Sequence, residues 1–345
     1  MQRSTISLIV EELIQENWLI EGPTVKLPRG RRPTFLRLNE ERVIIGVDIR
    51  PGQSMIALSD VNGKFGAVDT FPTRPEPEEW IREIVSRIQC VVATCAGKKI
   101  EGVGITIPGR FDHALGRLVF APNLGWRDVD IRTPIVEATG LDVEIENAAN
   151  ACALAAVWFD REELEASRNL AVVTVSEGIG IGVLVNGQLA TGLRGMAGEF
   201  GHVSLDPDGP PCSCGSRGCW EVFGSNRAAV RYYLESTSET PGLTFLDLLA
   251  RADAGDSHAV AALEKMAHEL GRGMRIIVAG LAPERILVIG DLTRSWDLLG
   301  PLIEADVAKQ VLPGGQTPLV IAVHESGMAR LRGTVALVLR KHFKA

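Results

Sequence analysis

Apolar side chains recur at Ile6, Ile9, Val10, Leu13 and Ile14 within residues 4–17. That is the spacing of a helix with one buried face, and Ser4 or Thr5 is suited to cap its start. Residues 18–39, WLIEGPTVKLPRGRRPTFLRLN, read as a strand, a Pro/Gly-rich loop and a second strand over 34–38. The pattern changes at Arg42. VIIGVDIRPGQSMIALSDVNGKFGAVDTF predicts a fully buried strand, a turn, a second strand, an Asn-Gly turn and a third strand. LAVVTVSEGIGIGVLVNGQLATG, near residue 170, repeats that unit. A hairpin theme repeated about 125 residues apart predicts two related α/β halves with a ligand cleft between them. Further helices are predicted near 226–238, 243–280 and 327–343.

Composition narrows the class. The 345 residues are 46% hydrophobic, enough for two domain cores. The net charge of −7 does not draw nucleic acid as a whole, so any DNA contact must come from a local basic patch. One such patch exists: Lys26, Arg29, Arg31, Arg32 and Arg37 fall in a run without an acid. No apolar run reaches the roughly 18 residues that cross a bilayer, and the first residues lack a secretory-leader pattern. A cytoplasmic, reducing setting and no membrane partner are expected.

Half of the six cysteines sit in one short stretch, GEFGHVSLDPDGPPCSCGSRGCWE, beginning at Gly198. Its spacing is His202-x9-Cys212-x-Cys214-x4-Cys219. Four N/S ligands with no open position describe a structural zinc site, and the intervening Pro and Gly residues let the chain bend around one ion. Glu199 and Glu221 flank it. A metal that fixes one imidazole nitrogen of His202 leaves the other for a ligand or a neighbouring carboxylate.

That stretch resembles the signature of the ROK family, which contains bacterial sugar kinases and sugar-responsive repressors. IPGRFDHALGRLVFAPNLGW resembles the family's first sugar loop, IENAANACALA its E-N-D-A-N-A segment, and SEGIGIGVLVNGQLATGLRGMAGEFGH its second glycine-rich stretch. The resemblance implies an α/β, two-domain actin-like ATPase (ribonuclease H-like) fold. The halves would be 41–160, joined by a C-terminal helix 327–345, and 161–326 with the zinc loop 202–219. It also implies sugar contacts at Gly109, Asn123, Asn147, Glu199, His202 and Glu221. The kinase side departs from the family. Ala148 stands where the kinases carry the aspartate that accepts the proton of the attacked hydroxyl, so no catalytic residue is expected. Asp48-Ile49-Arg50-Pro51-Gly52-Gln53 replaces D-x-G-G-T, Glu177 replaces threonine, and Gly290-Asp291 replaces a Gly-Gly pair. Glycine N–H groups approach phosphate closely; a proline and bulky side chains do not. The expectation is a sugar-responsive transcriptional regulator lacking kinase catalysis, with an ATP-dependent sugar kinase as the alternative.

Residues 1–40 resemble the last part of the winged helix-turn-helix that precedes the sugar domain in the repressors. Gln2, Arg3, Ser4, Thr5 and Ser7 would face base edges or phosphates, and Lys26, Arg29, Arg31 and Arg32 would form the wing. A partial motif is expected to bind operator DNA weakly. The effector would be a sugar or sugar phosphate, and the assembly a homodimer or homotetramer.

Overall fold

The computed structural model describes residues 3–24, 34–160, 164, 167–237, 242–309, 315–324 and 326–343. At its N-terminus α1 (Arg3–Gln15) leads into a hairpin of β1 (Leu19–Thr24) and β2 (Thr34–Leu38), paired antiparallel. The predicted buried face of α1 is buried only at its C-terminal end: Leu13 packs near Trp18, whereas Ile6 and Ile9 are exposed. Among the predicted DNA residues, Thr5 and Ser7 are exposed on α1, and Arg3 and Ser4 belong to its first turn. Gln2, Lys26, Arg29, Arg31 and Arg32 lie outside the described residues.

The run from Arg42 forms β3 (Arg42–Ile49), buried at all eight positions as a strand covered on both faces must be. It continues into β4 (Gln53–Asp60) and β5 (Phe65–Pro72), then α2 (Pro77–Thr94) and β6 (Lys99–Ile107). A small meander follows, β7 (Arg110–Asp112), β8 (Arg117–Ala121) and β9 (Trp126–Val129), then α3 (Arg132–Thr139), β10 (Val143–Asn147) and α4 (Ala148–Phe159). The sheet order is β10-β6-β3-β4-β5, with β3, β4 and β5 antiparallel and β6 and β10 parallel to β3.

The second half repeats this. β11 (Leu170–Val175), β12 (Ile179–Val185) and β13 (Gln188–Leu189) form the meander. The cysteine loop and the helices α5 (Glu221–Gly224), α6 (Asn226–Ser236), α7 (Phe245–Asp253) and α8 (Ser257–Leu281) are inserted before β14 (Arg285–Ile289), α9 (Trp296–Ala308) and β15 (Leu319–Val323). The order β13-β12-β11-β14-β15 is the same topology as the first sheet, position for position. The stretch predicted as one helix over 243–280 is two. Gly255, at φ 88°, breaks it, and the Asp256 side chain caps the second piece through the N–H groups of His258 and Ala259.

The last helix, α10 (Ser326–Phe343), returns to the first sheet and lies on β3 and β6, while α4 lies on β12. Small residues set both distances. A Cβ on Gly104 would collide with the Thr334 carbonyl, one on Gly46 with the Thr334 hydroxyl, and one on Gly182 with the Ala149 carbonyl. Gly333 of α10 in turn rests on Ala151 of α4. The centre of the molecule is thus sheet, α10, α4, sheet. At the far end of α10, Trp18 contacts His342 and Phe343, and the Arg42 guanidinium lies 3.9 Å from the Trp18 ring while pairing with buried Glu101. That cluster ties the N-terminal hairpin to the first sheet. No helix among the described residues is long and apolar enough to cross a membrane.

Candidate functional site

Parallel strands end on a common edge, and open α/β sheets bind ligands there. The residues following β3, β6, β10, β11 and β14, namely Arg50, Pro108, Ala148, Ser176 and Gly290, all line one cleft of about 960 Å3 between the halves. Gly109, Asn123, Asn147, Glu199, His202 and Glu221 line it too. The structure therefore brings together every residue that the sequence assigned to the sugar.

Local bonding fixes several of them. Asn147 caps α4 by accepting from the Ala149 N–H at 2.8 Å and donates to the Gly109 carbonyl at 2.7 Å, so it holds the cleft wall in place and keeps one amide hydrogen spare. Gly109 sits at φ 96°, where a side chain would collide with the Phe120 carbonyl. Asn123 accepts from Arg227 at 3.1 Å across the cleft. Burial raises the carboxyl pKa of Glu199, against the pull of His202 and Arg110 and with the push of Glu221.

The cysteine loop closes on itself: Leu205 N–H meets the Gly218 carbonyl at 2.7 Å and Cys212 N–H the Ser216 carbonyl at 2.8 Å. Trp220, wholly buried, anchors it by donating to the Glu269 carbonyl at 2.9 Å and packing over Gly273, where any Cβ would strike the ring. The donor atoms of His202, Cys212, Cys214 and Cys219 all lie within 4.8 Å of one another. Cys214 Sγ and Cys219 Sγ are 3.7 Å apart, and Cys212 Sγ is 3.6 Å from His202 Nδ1. Tetrahedral bonds of about 2.3 Å to sulfur and 2.0 Å to nitrogen would give roughly 3.8 and 3.5 Å, so the four donors fit one such ion with His202 binding through Nδ1. His202 Nε2 faces Glu199 at 3.8 Å. Glu221 Oε1 accepts from the Cys212 thiol at 2.9 Å. A thiolate bound to a metal could not donate, so loading would free that oxygen for the cleft.

The other end of the cleft carries a pair of arginines on one buried acid. Asp48 is wholly buried and accepts from Thr106 at 2.7 Å. Arg50 Nε lies 2.5 Å from one of its oxygens, and Arg330 Nε, from α10, 2.8 Å from the other as an ion pair. Arg50 also donates to the Gly327 carbonyl at 3.2 Å and Arg330 to that of Ile49 at 2.9 Å. Arg50 and Arg330 line the cleft and Asp48 does not; Glu177, Asp291 and Arg294 line it as well.

The ROK family profile matches residues 44–341. The chain belongs to the ROK family. A xylose repressor from Bacillus spizizenii is 30% identical over 317 residues, covering 91% of this chain and 81% of the repressor. A ROK glucokinase from Streptomyces griseus, solved with glucose and AMPPNP, is 29% identical with a TM-score of 0.75, over 86% of this chain and 98% of that one. A ROK transcriptional regulator, a homolog of the E. coli MLC protein, matches in fold with a TM-score of 0.80 and 24% identity, over 100% of this chain and 92% of that one. The fold is accordingly the α/β actin-like architecture of ROK sugar kinases.

Sequence reasoning placed Arg50 in the altered loop of this ROK chain but missed its ion pair, and it missed Arg330 altogether. Arg330 sits in the last helix, far from Asp48 in the chain, and no local spacing marks the pair. His113 and Glu146 were also missed. His113 Nε2 meets buried Glu146 at 3.0 Å. Its hydrogen bond to Glu146 raises the His113 pKa above 6.5, against burial. Burial pushes Glu146 upward, but His113 and the Asn147 and Asn150 donors outweigh it and hold Glu146 below 4.5. The histidine's contribution is present below its unfolded pKa of about 6.5 and is lost as pH rises through its raised folded value; the carboxylate's is present above about 4.5 and is lost as pH falls. Melting temperature should therefore decline on the alkaline side of that window in the wild type and decline less in His113→Gln. Equal slopes for the two proteins would refute the coupling.

Proposed function

We propose that the chain is a sugar-responsive transcriptional regulator of the ROK type, holding a sugar between its halves without phosphorylating it. One observation carries the reading. Ala148 cannot accept a proton, and the nearby acid Asp48 is covered by Arg50 and Arg330. A positioned base is worth about 10²–10⁴ in rate, and a carboxylate already bound to two arginines is a poor ligand for a nucleotide's metal. In this reading Gly109, Asn123, Asn147, Glu199, His202 and Glu221 hold the sugar, carboxylates and amides being matched to pairs of hydroxyls. Zinc, bound by His202, Cys212, Cys214 and Cys219, is structural: it orients His202 and the glutamates beside it. The halves are 41–160 with the C-terminal helix, and 161–326. The helix α1 and the hairpin after it contact operator DNA, and the extended match to the regulator, which includes this segment, supports that role. The assembly is a cytoplasmic homo-oligomer. Sugar and DNA are coupled by no more than the difference in sugar affinity between two arrangements of it.

The test is ADP release from Mg-ATP with a panel of hexoses, amino sugars and pentoses, run on the wild type and on Ala148→Asp. The expected result is turnover far below about 1 s⁻¹, the low end of ordinary enzymes, with thermal stabilisation by a sugar and none by ATP. Ala148→Asp alone is expected to stay inactive, because the arginines still occupy Asp48. Wild-type turnover at or above that rate would sink the regulator reading. It would favour the alternative, an ATP-dependent sugar kinase, whose support is the 29% identity with a glucokinase over 98% of that chain.

A further inference from the structure

Asn226 is the first residue of α6 and lines the cleft. It is not one of the residues that the resemblance assigned to the sugar. Backbone bonds fix its place. Its own N–H donates to the carbonyl of Ser176, just past the end of β11, at 2.8 Å. The preceding residue, Ser225, caps the helix by accepting from the Ala228 N–H at 3.3 Å, so the Asn226 side chain is not needed as a cap. Only 7% of the residue is exposed, yet its side-chain oxygen Oδ1 meets no hydrogen-bond donor among the described residues. Buried polar atoms are nearly always paired, because an unpaired one has given up water for nothing. On the wall of a ligand cleft, the missing partner is a group that the ligand brings.

The surroundings say which group that is. An amide oxygen has lone pairs and no hydrogen, so it needs a donor. The neighbours gather around the turn from Ser176 to Gly178, which the Ser176 N–H closes on the Gly178 carbonyl at 2.9 Å. A Cβ on Gly178 would lie 2.6 Å from Glu221 Oε2 and 3.6 Å from Asn123 Nδ2. Asn123 has its own oxygen engaged by Arg227 at 3.1 Å and so turns amide hydrogens to a ligand. Acceptors from Asn226 and Glu221 thus stand beside a donor from Asn123. A hydroxyl both donates and accepts and suits all three. A hydrogen atom in its place would leave Oδ1 unpaired, and an ether or acyl oxygen would set acceptor against acceptor.

We propose that Asn226 is a specificity-determining residue of the cleft, requiring a free hydroxyl of the ligand at the Ser176–Gly178 turn. The inference rests on the sugar-binding reading above and adds to it one contact and one rule of selection. The rule acts by exclusion: a ligand without that hydroxyl seals Oδ1 from water and offers it nothing.

Calorimetry on the full chain tests it, first with a panel of hexoses, amino sugars and pentoses, then with the monodeoxy and mono-O-methyl forms of the tightest binder. Loss of one particular hydroxyl is expected to weaken binding by about tenfold or more, and methylation of the same hydroxyl by at least as much. Asn226→Ala is expected to bind the parent sugar about tenfold more weakly and to accept that one deoxy form about as well as the parent, with the penalties at other positions unchanged. Asn226→Asp, which keeps an oxygen acceptor there, should keep the discrimination. Without ligand, Asn226→Ala should melt no lower than the wild type, since alanine removes an unpaired oxygen. The inference is overturned by a wild type indifferent to every deoxygenation, by an Asn226→Ala variant that weakens the parent and all analogues by one factor, or by a lower melting temperature in the unliganded variant. Each of these leaves the sugar-binding reading intact. Failure of every sugar in the panel would overturn both.

Discussion

Cys219→Ala is expected to lose its bound metal and to melt on the order of 10 °C below the wild type. The physical argument begins with what the ligand holds. Cys219 is wholly buried, is directly followed by the anchor Trp220, and sits 3.7 Å from Cys214. Removing one of four donors leaves the other thiols and His202 crowded together without the ion that would justify their approach. Structural zinc sites in small peptides supply about 10–16 kcal/mol of apparent binding energy. Here the loop is also held by Trp220 and by its own backbone bonds, so only part of that is at stake. A loss of about 3–5 kcal/mol matches the cost of breaking a buried polar constellation. At about 2–4 °C per kcal/mol for a domain of this size, that produces the stated shift. Elemental analysis and thermal melts read both halves of the expectation, with Cys90→Ala as the control, since Cys90 is exposed and outside the cluster. One zinc per chain is expected in the wild type and the control, and none in Cys219→Ala. Because Glu221 follows the anchor directly, sugar-induced stabilisation should vanish along with the metal. A wild type without zinc, or a Cys219→Ala protein with unchanged melting, would refute the structural-metal reading.

Gly104→Ala should be the most damaging methyl addition in the first half. Its Cβ would enter the space of the Thr334 carbonyl oxygen, which is backbone in the middle of α10 and cannot swing aside. Gly102, on the same strand, and Gly46, on the neighbouring one, face the same helix, so α10 cannot lift at one point without losing its neighbouring contacts. Overpacking costs about 1–3 kcal/mol where side chains can give, and more where they cannot; at Gly104 the loss is expected to exceed about 3 kcal/mol in urea unfolding. Gly280→Ala is the matched control. That glycine is exposed in α8 with nothing near its missing Cβ, so alanine there should stabilise by up to about 1 kcal/mol through helix propensity. Equal effects at the two positions would show that α10 does not seat on the sheet as described.

Much of this molecule could be read before its structure. Val43 to Ile49 announced a buried strand, and the return of the same hairpin near Leu170 announced the second half, because strand pattern and turn residues are local properties. The His/Cys cluster was legible for the same reason: its four side chains fall within eighteen residues. Helix α8 was over-extended because Gly255 and Asp256 form a stop and a cap inside a continuous apolar period. The arginine pair at the cleft was not legible. It depends on Arg330 crossing to Asp48 from the last helix, and a contact between residues so far apart leaves no trace in spacing. The exposure of Ile6 and Ile9 also depends on what packs nearby, which periodicity alone does not report.

The layer of small residues at the centre has a mechanical meaning. Helices that pack through large side chains interlock, ridge into groove, and can move only by jumping a notch. Here α10 and α4 approach their sheets and each other closely at Gly46, Gly104, Gly182, Gly333 and Ala151, with Leu154, Leu337, Val338 and Leu339 packed around those points. At those close points the joint between the halves cannot be thickened even by a methyl group. A ligand that spans the cleft would bear on the angle between the halves, and α10, about 27 Å long at 1.5 Å per residue, would carry a change in that angle from Arg330 at the cleft to Trp18 at the foot of the N-terminal hairpin.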